Sequence, residues 1–163
     1  MSESLLIVAG GVLLVVVVLA VVVRQVRHAA LEARFHKAMR DFHPNREYLE
    51  AKFFELCAES GKPRGLAWEE CEFEDDVAYA RHRQSGDLSA LVGVTIRFSA
   101  VVGGGMEDVE AVDNLRAATA VFNLREGRWT TEGRTIFNLN PTEAISHYRE
   151  NLEMVAREHV EHV

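Results

Sequence analysis

Residues 88–102 read LSALVGVTIRFSAVV, and their period of two decides the fold class. Leu88, Ala90, Val92, Val94, Ile96, Phe98, Ala100 and Val102 share one face of an extended chain, while Gly93, Thr95, Arg97 and Ser99 take the other. Successive side chains of a strand point to opposite faces, so this stretch is a long strand with one buried and one wetter side. A strand buried on one face needs a sheet around it and a second layer against it, and the flanking sequence supplies both.

Upstream, Leu66 to Arg83 carries Trp68, Phe73, Val77 and Tyr79 in strand-like surroundings, and Ser85-Gly86-Asp87 supplies a turn. This part reads as one bulged strand or two short ones, because an acidic cluster breaks its alternation. Downstream, a strand over 114–124 is followed by Arg125-Glu126-Gly127-Arg128, a tight connection, and a further strand over 129–138. None of these connections is long enough for a crossover helix, so the four strands, five if the first divides, form an antiparallel meander.

Helices flank the strands. After residue 138, Asn140 is a good N-cap, Pro141 fits the first helical position, and Glu143 falls three residues after the cap. Ile145, Tyr148, Leu152 and Val155 continue as a stripe at helical spacing, which predicts a C-terminal helix through that segment. Before the strands, a helix over 44–59 presents Leu49, Phe53 and Leu56, with Tyr48 and Cys57 beside them, and ends at Ser60-Gly61-Lys62-Pro63. The order helix, helix, antiparallel strands, helix predicts an α+β domain over 44–158 with the helices on one sheet face, and a frayed tail over 159–163. The layout resembles cystatin-like or cone-shaped folds, in layout alone.

At the N-terminus, residues 5–23 (LLIVAGGVLLVVVVLAVVV) carry no charge. Nineteen residues at the helical rise span roughly 28 Å, close to the hydrocarbon core of a bilayer. A signal peptide would show a basic n-region and a small-residue cleavage site, whereas here MSES precedes the run and Arg24, Gln25 and Arg27 follow it. The expectation is a short tail over 1–4, a single membrane-spanning helix over 5–23 and a juxtamembrane helix over 24–43. Arg24, Arg27, Arg34, Lys37 and Arg40 on its far side predict an outside N-terminus and a cytoplasmic domain, with a basic collar against the bilayer as partner.

Composition narrows the function classes. The chain of 163 residues has a formal charge of −7, which argues against bulk nucleic-acid binding. Two cysteines are too few for a disulfide scaffold or a zinc knuckle. His28, His36 and His43 are too far apart on a helix for one metal, and His159 with His162 stands in the expected tail. Gly103-Gly104-Gly105, with Asp108, Glu110 and Asp113 after it, matches no phosphate-binding pattern and reads as a long hairpin connection. No metal or other cofactor is expected.

His82 with Asp87 and Ser89 lacks the nucleophile-elbow context of a hydrolase, and Asp108 with Arg134 is a comparably thin catalytic pair. Cys71 stands among carboxylates that oppose a thiolate, and Cys57 reads as a small buried hydrophobe. Two features point to binding. Glu69, Glu70, Glu72, Glu74, Asp75 and Asp76 put six acids in eight residues, a patch suited to a basic protein partner. Arg97, Arg116, Glu132 and Arg134, with Trp129 at the edge, form a charged cross-strand row if the register aligns them. The functional expectation is a membrane-tethered protein-binding or scaffold domain that self-associates or takes a protein partner. The alternatives are an apolar or lipid-like small-ligand binder and, third, a small enzyme.

Overall fold

The computed structural model describes residues 2–61 and 63–159, and within them every side chain except those of 2–13, 15, 28 and 113. The chain divides into two units, Met1–Arg40 and Asp41–Val163. The first belongs to α1 (Ser2–Phe42), an uninterrupted helix whose described side chains at Leu14 and from Val16 to Val23, apart from the small Ala20, are large, apolar and exposed.

Among the described residues, no helix is long and apolar enough to cross a membrane. That finding corrects the expectation of a spanning anchor. With the anchor go the tether, the single-pass topology with a cytoplasmic domain, and the bilayer as partner. Of the expected segment the described side chains are Leu14 and the eight apolar residues from Val16 to Val23, with Arg24 next and Arg27 within a turn. The rest of the spanning segment, 5–13 and 15, lies outside the described side chains.

The second unit is α+β. A 3-10 turn at His43–Asn45 leads into α2 (Arg46–Glu59), then β1 (Leu66–His82), β2 (Leu88–Ala100), β3 (Arg116–Arg125), β4 (Arg128–Phe137), α3 (Pro141–His147) and β5 (Leu152–Glu158). All strand pairs are antiparallel, in the order β4-β3-β2-β1-β5. β1 is therefore a single strand, bulged between Trp68 and Glu70 and again between Phe73 and Val77. The β3–β4 hairpin closes on Glu126 and Gly127, both at positive φ (51° and 78°), the turn whose twist matches that of the strands.

The C-terminal helix is shorter than its sequence stripe. α3 keeps the expected cap: Asn140 Oδ1 accepts from the Glu143 amide at 2.9 Å, and Glu143 Oε2 accepts from the Asn140 amide at 3.0 Å. It stops at His147, and Leu152–Glu158 is instead a fifth strand on the far side of β1. Val77–His82 offers a row of backbone groups there, and pairing satisfies more of them than another helical turn would.

Nor do the helices share one face. α2 packs on the face of Val77, Tyr79, Ala90, Val92, Val94 and Phe122. α3 packs on the other, where Ala144 and Ile145 meet Ala78, Ala80, Leu91 and Leu152. This is why β2 is buried on both sides from Leu88 to Val94 and turns one wet side outward only near Arg97. α2 builds the larger core. Leu49, Phe53 and Cys57, four apart, are buried along it, and Phe53 lies 5.7 Å from Phe73 and 5.9 Å from Phe122 between ring centroids. It comes closest to the sheet at Gly133, a positive-φ residue where an added Cβ would stand 3.2 Å from Leu56 Cβ and 3.3 Å from Cys57 Sγ. The Gly133 carbonyl accepts from Cys57 Sγ at 3.2 Å.

Candidate functional site

β1 has two different sides. Toward β2 it is paired from Leu66 to Arg81, whereas toward β5 it is paired only from Val77 to His82. Among the described residues, the other side of β1 between Leu66 and Asp76 has no strand partner. Unpaired strand edges are templates for further strands, and proteins manage them with charge and bulges. This edge carries both.

α2 is held alongside that edge by Arg46. Its Nη1 donates to the Asp75 carbonyl at 3.0 Å, its Nη2 donates to the Glu74 carbonyl, and its Nε donates to Glu50 Oε1 at 2.6 Å. One guanidinium thus satisfies two carbonyls of the second bulge and fixes the start of α2 above it. The spacing leaves a groove of about 440 Å³ between helix and edge. Ala51, Phe54, Cys71 and Phe73 supply its apolar lining, and Glu47, Glu50, Glu69 and Glu70 its acidic rim. The first bulge sets Glu69 and Glu70 together on the groove. Phe54 follows the buried Phe53 but falls off the Leu49–Phe53–Cys57 stripe, and that off-stripe aromatic is the sequence signal for this surface.

Four members of the acidic run, Glu69, Glu70, Glu72 and Glu74, together with Asp75, are exposed. Glu70 faces Arg97 across the strands at 3.6 Å. Asp76 is tied instead to Arg157 Nη2 at 2.6 Å and to His159 Nδ1, contacts that hold its carboxyl below the usual range, His159 contributing most. Burial, then the influence of Cys57 and Glu70, pushes the Cys71 thiol up to about 12. Burial likewise raises the Cys57 thiol. Neither cysteine presents a thiolate near neutrality, so the groove is built for contact and charge.

No protein-family model matches the chain, and neither a curated protein nor a solved structure matches it.

The other residues singled out by sequence scatter. Arg116 pairs with Ile96 and so falls on the α2 face, donating to the Ala111 carbonyl at 2.8 Å, while Arg97 lies on the opposite face. Trp129 packs on the Phe42 ring at 5.0 Å, Glu132 is exposed on β4, and Arg134 stands over the Tyr148 ring at 5.8 Å. The register therefore does not bring Arg97, Arg116, Glu132 and Arg134 into one row. Asp87 approaches Arg125 at 3.7 Å, whereas His82 Nε2 lies 3.2 Å from Ser89 Oγ. The side chains of His28 and Asp113, and all of His162, fall outside the described residues. Among the described residues no group of three or more His, Cys, Asp and Glu is placed to hold a metal.

Proposed function

We propose that this domain is a protein-binding module that takes an extended, basic segment of a partner along the open edge of β1. The observation that carries the reading is the change of pairing at Val77. From there back to Leu66 a strand edge stands open beside an apolar groove with an acidic rim. In strand addition the backbone bonds supply affinity, and pockets for alternate side chains supply specificity. Here one set of side chains would enter between Phe54 and Phe73, beside Glu47, and the other would turn to the opposite face, where Glu70 and Glu72 stand. Between the bulges β1 runs regularly for the four residues from Glu70 to Phe73, so a short partner strand of about four residues fits there.

The same charges select the occupant. A second copy of this edge would set glutamate against glutamate, a juxtaposition that costs several kcal/mol across an interface, so the edge repels its own kind and attracts lysine and arginine.

The test is a titration of the full chain with a blocked hexapeptide alternating lysine and valine, followed by amide NMR. The expected result is shifts and slowed exchange within residues 67–75 and at Phe54, with affinity falling as salt rises. The double substitution Glu47→Lys and Glu69→Lys, both at exposed positions, should weaken binding at least tenfold. Equal binding of the glutamate–valine counterpart, or shifts confined to other surfaces, would overturn the reading.

A further inference from the structure

We propose a second, independent site on the α3 side of the sheet, where His82, Arg134 and Tyr148 bind a small molecule bearing an oxyanion, a carboxylate or a phosphate. The three side chains line one cavity of about 260 Å³, together with Gln84, Asn151 and Leu152. That volume is just below the range of drug-sized ligand sites, about 300–1,000 Å³, so the occupant is small.

Arg134 provides the charge. Its guanidinium carbon is 5.8 Å from the centroid of the Tyr148 ring, and no carboxylate among the described residues pairs with it. A cation stacked on an aromatic face keeps its edge donors available, and those donors match the two oxygens of a carboxylate or phosphate. Glu153, the residue after Leu152, does not compete for it: Arg81 engages that carboxylate at 2.9 Å and Arg83 at 3.9 Å.

His82 is held by a buried relay. Its Nε2 is 3.2 Å from Ser89 Oγ, which is 1% exposed and donates to Asn123 Oδ1 at 2.8 Å. The amide oxygen of Asn123 can only accept, so the serine hydrogen is committed there and Ser89 Oγ receives the Nε2 hydrogen. Nδ1 is left with no partner among the described residues, on a ring that lines the cavity. Burying a hydroxyl beside the apolar cluster of Ala80 and Leu91 costs free energy unless its bonds are made. This relay makes those bonds and also sets the orientation and tautomer of the imidazole. With Nε2 donating to Ser89, Nδ1 accepts from a protonated oxygen of the group seated on Arg134, or donates to a deprotonated one when the imidazole takes up a second proton.

The experiment is an NMR titration of the full chain with inorganic phosphate and, separately, with benzoate, following the His82 imidazole and the Arg134 Nε–H. Saturable shifts at both groups are expected with at least one probe, and the probe that saturates assigns the oxyanion. Arg134→Gln, at an exposed position, should weaken binding at least tenfold. Ser89→Ala should weaken it while leaving the Arg134 resonance responsive. Arg128→Gln, at the opposite end of β4 in a separate cleft, should change nothing. Absence of saturable shifts at His82 with either probe, or equal losses from Arg134→Gln and Arg128→Gln, would overturn the proposal.

Discussion

His43 Nε2 lies 2.8 Å from Glu158 Oε2, joining the turn before α2 to the last residue of β5 across 115 positions of sequence. Beneath this pair Tyr79 is fully buried, with its ring 6.0 Å from Phe42, and its hydroxyl, close to the Glu158 carboxylate, meets no partner at full hydrogen-bond geometry among the described residues. Burial, followed by the charge of Glu158, holds the phenol well above its ordinary range, so it stays neutral. An unsatisfied buried hydroxyl costs roughly 1–3 kcal/mol, and a phenylalanine of the same shape removes the cost. Tyr79→Phe is therefore expected to raise stability by about 1 kcal/mol in urea denaturation. His43→Ala should cost less than about 1 kcal/mol, because both members of its pair are more than a third exposed. A loss on Tyr79→Phe would show that the hydroxyl is bonded in solution.

Phe53 and Phe54 are neighbours in sequence with opposite duties. Phe53 is fully buried and lies within 6.3 Å of the Trp68, Phe73 and Phe122 rings. Phe54 lines the groove beside β1. Phe53→Ala should cost about 3–5 kcal/mol, a large part of the stability of a domain this size. Phe54→Ala should cost less than half as much and abolish capture of the lysine–valine peptide. Guanidinium denaturation of both variants, beside the peptide titration, separates the two roles. Equal losses of stability would place Phe54 in the core.

Cys71 gives the groove a built-in reporter. With its thiol pushed up to about 12, the thiolate fraction at pH 8 is far below that of a free cysteine of pKa about 8.5. Alkylation of the native protein by iodoacetamide at pH 8 should be at least about 100-fold slower than that of free cysteine. The linkage has a definite sign. A raised native pKa means that the folded state holds the proton more tightly. Its contribution to stability is complete below the unfolded value near 9 and is lost as pH climbs toward 12. Cys71→Ser should flatten the stability profile between those limits. Rapid alkylation of the native form would contradict this environment.

What the sequence discloses is local. Although β2 ends at Ala100, short of Val102, and lacks the wetter side from Leu88 to Val94, the strand opening at Leu88, the Glu126-Gly127 turn and the Asn140-Pro141-Glu143 cap each depend on nearby residues, and each appears in the structure where its pattern stands. The extent of the last helix does not, because Leu152 is buried whether it continues a helical stripe or opens a strand. The vacant side of Val77–His82 decides between them, and that vacancy belongs to the fold. The double burial of β2 is hidden for the same reason: Leu91 reads as an exception to the alternation until α3 covers it. The acidic run over 69–76 is legible as charge, but the groove beside it exists only after Arg46 has docked α2 on the second bulge. The relay from Asn123 through Ser89 to His82 spans three strands, and no spacing within one of them announces it.

Asp76 sets the acid limit of the sheet's outer edge. Its carboxylate receives Arg157 Nη2 at 2.6 Å and His159 Nδ1, tying the end of β5 to the second bulge of β1, and the His159 bond is the larger cause of its lowered pKa. A depressed native pKa contributes stability that is present above the unfolded value of about 3.9 and is lost as pH falls through the native one. Below about pH 4 the tie between β5 and β1 should therefore weaken before the inner strands do. Amide exchange between pH 5 and pH 3 is the measurement. Residues 156–158 should lose protection ahead of residues 90–96, which lie between two paired neighbours in β2. Asp76→Asn should bring the early loss of β5 protection to pH 7 and remove its dependence on acid. Simultaneous loss along both strands in the parent chain would mean that β5 opens only with the whole sheet, and that Asp76 fastens nothing of its own.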